Sequence, residues 1–196
     1  MLGHTPSLGA VNTAVIFDSA NPNVEDPDLG TPNELYGGLG VGAGGASNDT
    51  ALNNILIIAE NLEDTNPADG LVDVPDDTFE SNSTLMFDFS TLAGGVVRVV
   101  EMTVIDVEEN EGGAYVEVSG PALPPTQVPI PFTGDNGAAT FAINADGVSS
   151  MLVTFNGSGA VGEFLIEQEE QEEGGFRTQT QGGWGTRCRG NNPGCY

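Results

Sequence analysis

Along much of the chain apolar and polar residues alternate in short runs, broken by stretches rich in Gly, Pro, Asn and Asp. "STLMFDFS" (83–90) sets Leu85, Phe87 and Phe89 against Thr84, Asp88 and Ser90, with Met86 out of phase. A period of two sends successive side chains to opposite faces, so this run predicts a half-buried strand. "GGVVRVVEMTVIDVEE" (94–109) predicts a long β-branched strand. Strict alternation would put Val97, Val99, Glu101, Thr103, Ile105 and Val107 on one face, and Arg98, Val100, Met102, Val104, Asp106 and Glu108 on the other. The same reading predicts strands in "NTAVIFD" (12–18), "NILIIAE" (54–60), "AYVEVSG" (114–120), "TQVPIPF" (126–132), "GAATFAINA" (137–145), "SSMLVTFNG" (149–157) and "VGEFLIEQ" (161–168). The prolines of 126–132 place that strand at a sheet edge.

About nine strands with regular turn signals and no amphipathic helical stretch predict an all-β fold. The expectation is an antiparallel β-sandwich or jelly roll with long Gly/Pro/Asp-rich loops. Residues 1–11 read as a tail or a leading strand, 12–168 as the β-sandwich domain and 169–175 as an acidic, glycine-ended linker. Residues 176–196 read as a basic, cysteine-containing tail or the start of another module.

Charge alters this picture. The chain carries 29 Asp and Glu against four Arg and no Lys, for a net charge of −25. All the acids precede residue 174, whereas Arg177, Arg187 and Arg189 follow it. Residues 1–173 therefore sum to 1 − 29 = −28 and residues 174–196 to +3. Phosphates would be repelled by such a body, which excludes nucleic acid as its partner. No apolar run approaches the 18 residues of a membrane span. "MLGHTPSLGA" lacks the basic start and apolar stretch of a secretory signal, so export would rely on a signal already removed or lying outside this chain.

The acids are concentrated in two loops. "LEDTNPADGLVDVPDD" (62–77) places Asp64, Asn66, Asp69, Asp73, Asp76 and Asp77 around Gly70. Asp18, Asn21, Asp26 and Asp28, with Glu25 and Asn33, lie in "FDSANPNVEDPDLGTPN". Like charges this close need neutralising, by divalent cations, by a high-salt habitat or by a basic partner. Hard oxygen donors at irregular spacing suit calcium, which takes six to eight of them, better than magnesium with its strict octahedron. The alternatives are an acidic surface loop in the first case and Asx turns in the second. The two loops are expected to meet at one end of the sandwich. Asp106 and Glu108 read as exposed or metal-linked.

Other chemistry thins out. His4 is the sole histidine and lies near the N-terminus, which excludes histidine-based triads, and there is no lysine nucleophile. "EMTVIDVEE" resembles the Glu-x-Asp-x-Glu strand of β-jelly-roll glycosidases, but Val104 stands where the first glutamate is required. No catalytic residue is assigned, and an enzyme is not expected. Trp184 and Tyr36 are candidates for stacking on a glycan, or else core or rim aromatics. Cys188 and Cys195 flank a turn-forming Asn-Asn-Pro-Gly within "CRGNNPGC". They read as a short disulfide loop of an oxidising compartment, or as two free thiols.

"AVIFDSANPNVEDPDLGTPN", "NILIIAEN", "DGLVDVPDD", "LMFDFS", "VIDVEE" and "TFNGSGAVGEFLI" together resemble a module of large secreted or surface proteins of marine and environmental bacteria. The resemblance spans roughly residues 12–166. It implies a secreted β-sandwich with calcium-like loops and an extracellular or cell-surface location. It carries over no catalytic residues. Two functions follow as expectations. One is a non-enzymatic structural or adhesive surface protein, a calcium-rigidified subunit that self-associates into filaments or a layer or docks on a neighbouring surface protein. The other is a carbohydrate-binding module of a secreted enzyme.

Overall fold

In the computed structural model, residues 1–33, 47–65 and 68–168 are described. They form ten strands: β1 Leu2–His4, β2 Ala14–Asp18, β3 Asn54–Ile58, β4 Ser83–Asp88, β5 Val97–Ile105, β6 Ala114–Ser119, β7 Thr126–Ile130, β8 Ala138–Val148, β9 Ser150–Phe155 and β10 Ala160–Glu167. Two five-stranded sheets result, ordered β1-β4-β9-β6-β7 and β2-β3-β10-β5-β8. Every pairing is antiparallel. The predicted strands are all present. The tenth, β1, lies in the stretch 1–11 that reads as a tail or a leading strand; it is three residues long and pairs with β4.

The two sheets share one core. Leu85 and Phe87 of β4, Val116 and Val118 of β6, and Met151 and Val153 of β9 meet Val99, Met102 and Val104 of β5 and Val161 of β10. Phe87 and Phe164 touch edge to face across the layers, with centroids 4.9 Å apart. This is the packing expected of a sandwich-like fold, since each sheet has one apolar face to bury.

Strict alternation fails in β5. Against β10, Val99 and Glu101 pair with the adjacent residues Ile166 and Leu165, which leaves Val100 as an extra residue in β5. Residues 102–105 are all buried, while Arg98 and Glu101 are exposed. The extra residue of a bulge shifts which face each later side chain takes, so Met102 and Val104 join the inter-sheet core instead of facing away from Val97 and Val99.

One side of the molecule is closed by a tight crossing of β1 and β2. A Cβ on Gly3 would lie 2.2 Å from the Ala14 amide nitrogen, and Thr13 N–H donates to the Gly3 carbonyl. Under the second sheet, Phe17, Leu29, Ile55, Ile57, Ile105 and Ala160 form a smaller core. Leu29 belongs to the loop after β2 and is fully buried. It pins that loop to the sheet end where β10 begins.

Candidate metal centre

Four chain segments converge at this end. The loop after β2 brings Asp26 and Asp28, the segment before β4 brings Asp76 and Asp77, β5 delivers Asp106 one residue past its end, and the turn before β8 supplies Asp135. Their carboxylates fall into two groups, Asp26–Asp76–Asp77 and Asp28–Asp106–Asp135, each with one oxygen per residue within 4.8 Å of the others.

Local hydrogen bonds explain why the loops adopt this arrangement. Asn23 Oδ1 accepts the amides of Glu25 and Asp26, both at 2.9 Å, an Asx cap on the turn. Its Nδ2 donates to the Pro75 carbonyl at 2.5 Å and so ties the two acidic loops together. Asp77 N–H donates to Asp26 Oδ2 at 3.1 Å, and Gly159 N–H donates to Asp77 Oδ2 at 2.5 Å. Asp77 is thus clamped between a loop and the start of β10. Asn136 N–H donates to Asp106 Oδ1 at 2.7 Å, and its Nδ2 donates to the carbonyls of Asp28 and Gly30. Asn48 Nδ2 donates to the Gly30 and Asn136 carbonyls at 3.0 and 2.8 Å. Asp106 and Asn136 both have positive φ, near +60° and +57°. Asp and Asn tolerate that conformation better than most residues, because their short side chains bond locally.

The electrostatics are unbalanced. Asp26, Asp77 and Asp106 are buried. Arg98 is the one Lys or Arg among the described residues, and its guanidinium pairs with Asp146 and Glu167 at the other end of the sheet. Burial, then the charge of Asp77, pushes Asp26 far above the carboxylate range. Burial does the same to Asp77 and holds Asp106 at about 7. Asp76 is raised by burial and by Glu60 and Glu25, and Asp135 by burial and Asp28. Two ionised carboxylates 4.8 Å apart repel by about 3–4 kcal/mol at an effective dielectric of about 20. Such a group must either take up protons or hold cations.

The donor set fits a hard cation. Every side-chain donor in both groups is a carboxylate oxygen, the chemistry that calcium or magnesium takes. Asp135 Oδ1 is buried with no hydrogen-bond partner, as a ligand oxygen awaiting an ion would be. The acidic clusters can therefore hold a metal ion.

The sequence-derived candidates divide. Asp26, Asp28, Asp76 and Asp77 converge as expected, and the two loops meet. Asp106 is buried among carboxylates, which removes the exposed alternative for it. Asp18 and Asn21 stay outside, because Asp18 Oδ1 accepts the Ala20 amide at 3.1 Å and Oδ2 accepts Asn21 Nδ2 at 3.0 Å in a local turn. Asp64 accepts the amides of Asp69 and Gly70. Asp69 accepts the Leu71 amide, and Asp73 accepts the amide and hydroxyl of Thr65. These residues shape the 62–77 loop from within. Asn66, Tyr36, Trp184, Cys188 and Cys195 lie outside the described residues. Asp135 was missed because "GDNG" (134–137) reads as a turn. Its position before a strand, like that of Asp18 after one, was the available signal. Among the described residues no helix is long and apolar enough to cross a membrane. No protein-family model and no curated protein matches the chain.

Proposed function

We propose that the chain is a non-enzymatic structural or adhesive unit of a cell surface, an extracellular jelly-roll sandwich made rigid by calcium. The observation that carries this reading is the convergence of six carboxylates from four distant segments, with Arg98 engaged elsewhere. Ions bound there would join the loops after β2 and before β4 to β5 and the β8 turn, as a cross-link between segments does. Calcium is favoured over magnesium because the donors lie on irregular loops, whose geometry a flexible coordination shell accommodates.

The test is the melting temperature of calcium-loaded protein before and after chelation. Calcium that binds the folded state alone stabilises it by about 2.7 kcal/mol at a hundredfold excess over Kd. A melting curve that chelation leaves unchanged would sink the reading. Recovery by monovalent salt alone would point to a high-salt origin of the acidity.

A second reading, a carbohydrate-binding module, is favoured by a groove of about 340 Å³ on the β5–β8–β10 sheet, lined by Thr50, Thr103, Thr140 and Glu163 among others. Hydroxyl and carboxylate groups of this kind bind sugar hydroxyls. A glycan array probed in calcium separates the two readings.

A further inference from the structure

Beyond the buried carboxylates, the same end of the molecule carries an open acidic cleft. About 170 Å³ in volume, it is lined by Glu25, Asn61, Glu63, Asp73, Val74 and Asp76. Val24 and Leu71, 88% and 69% exposed, lie in the two loops that form it. The cleft thus pairs several carboxylates with neighbouring apolar surface, and it extends past the end of β3. Arginine suits such a place, since its planar guanidinium bonds carboxylates in pairs while its stem packs on apolar groups.

The chain itself contains a segment of that chemistry. Residues 174–196 hold three arginines, no acid, and Phe176, Trp184 and Tyr196. The direction of β10 sets how far this segment starts from the cleft of its own molecule. β10 starts at Ala160, beside Gly159 and its bond to Asp77. It ends at Glu167, opposite Arg98, roughly 23 Å away at about 3.3 Å per residue. Gln168 is anchored there by a bond to the Ala93 carbonyl. Gln168 therefore sits at the end opposite the cleft, and the next five residues include four glutamates, whose charge opposes a return along the acidic body of the same molecule.

We propose that the basic segment 174–196 of one copy docks in the acidic cleft of the next, so that copies join head to tail. The inference rests on the structural-subunit reading. A heterologous contact of this kind does not close on itself unless the rotation between copies happens to, so it propagates as a chain.

The test uses the full chain, calcium-loaded and without reductant, in sedimentation velocity and in the fluorescence of Trp184, the sole tryptophan. Wild type should associate with rising concentration, about tenfold more weakly in 0.5 M than in 0.05 M NaCl, while the Trp184 emission shifts to the blue. Replacing Arg177, Arg187 and Arg189 together by Gln should leave monomers, and so should Glu25→Gln with Glu63→Gln. Mixing these two variants should yield dimers and nothing larger, because one supplies only a cleft and the other only a tail. Wild type that stays monomeric overturns the proposal. So does association undiminished in either variant, or a blue-shifted Trp184 at every concentration, which would mean that the tail folds onto its own body. The chelation melting curve, measured on the same monomeric variants, reports on the calcium reading independently.

Discussion

Leu29 and Asp106 show how single residues set this end of the molecule. Leu29 is the buried apolar anchor of a loop rich in Asn, Asp and Pro. Leu29→Ala removes a fully buried side chain and should cost about 2–5 kcal/mol. Because the loop carries Asp26 and Asp28, calcium affinity should fall with it; calorimetric titration beside a denaturant melt measures both. Asp106→Asn acts in opposite directions in the two states. In metal-free protein it removes a buried carboxylate whose ionisation is resisted by burial and by Asp28, so stability should hold or rise at pH 8. In calcium it would delete a proposed ligand, and the stabilisation by the metal should shrink. A variant that melts lower by the same amount with and without calcium would place Asp106 outside the ion's coordination. Asp64→Asn serves as the comparison. That side chain caps the Asp69 and Gly70 amides, so the change should cost about 0.5–1.5 kcal/mol, as loss of a hydrogen bond does, irrespective of metal.

At the scale of elements, the crossing of β1 and β2 allows no side chain at Gly3. Gly3→Ala would force backbone apart, since the clashing atoms belong to Ala14 and Thr13. β1 pairs through three residues only, so it should peel from β4. Hydrogen exchange should then show lost protection at 84–86 with β6 and β9 unaffected. The strands themselves were legible because a two-sided environment writes a two-residue period into Leu85, Phe87 and Phe89. The period vanishes where the backbone slips, and nothing in "RVVEMTV" announces the bulge that buries Met102, Thr103 and Val104 together. The carboxylate site was half legible for a related reason. Asp64 in its Asx turn and Asp77 in the buried cluster look alike in sequence, because one residue type serves both as a local cap and in a long-range cluster. Only the fold, which brings Gly159 to Asp77 and Asn136 to Asp106, tells them apart.

For the whole molecule, the raised carboxylates fix how stability depends on pH. In metal-free protein Asp106 titrates at about 7, against about 3.9 when unfolded. Between these values the folded chain binds a proton that the unfolded chain does not. Its contribution is full below about pH 4 and is lost as pH rises towards 7. Asp26 and Asp77 are shifted the same way and extend the loss to higher pH. The melting temperature without metal should therefore fall from pH 5 to pH 8. It should do so even in 0.5 M NaCl, which screens exposed charge but not the buried groups. The increment that calcium adds should grow over the same interval, as protons cease to compete for its ligands. A metal-free melting temperature that is flat or rising with pH would contradict the placement of these groups.

The centre draws on positions 26, 77, 106 and 135, with Gly159 holding one of them. No short stretch of chain can form it alone. Bringing such distant segments together costs loop entropy that only the finished sheets repay. The site should therefore be absent from the folding transition state and present only after it. Interactions of that kind leave the rate of folding alone and slow the rate of unfolding. Calcium should act as a brake on leaving the native state, not as a guide into it. In stopped-flow experiments the unfolding limb should drop by roughly the full equilibrium gain from the ion, while the refolding limbs with and without calcium coincide. On the proposed extracellular reading, beyond the reach of chaperones, the protein would then owe its persistence to the lifetime of the folded state more than to its depth.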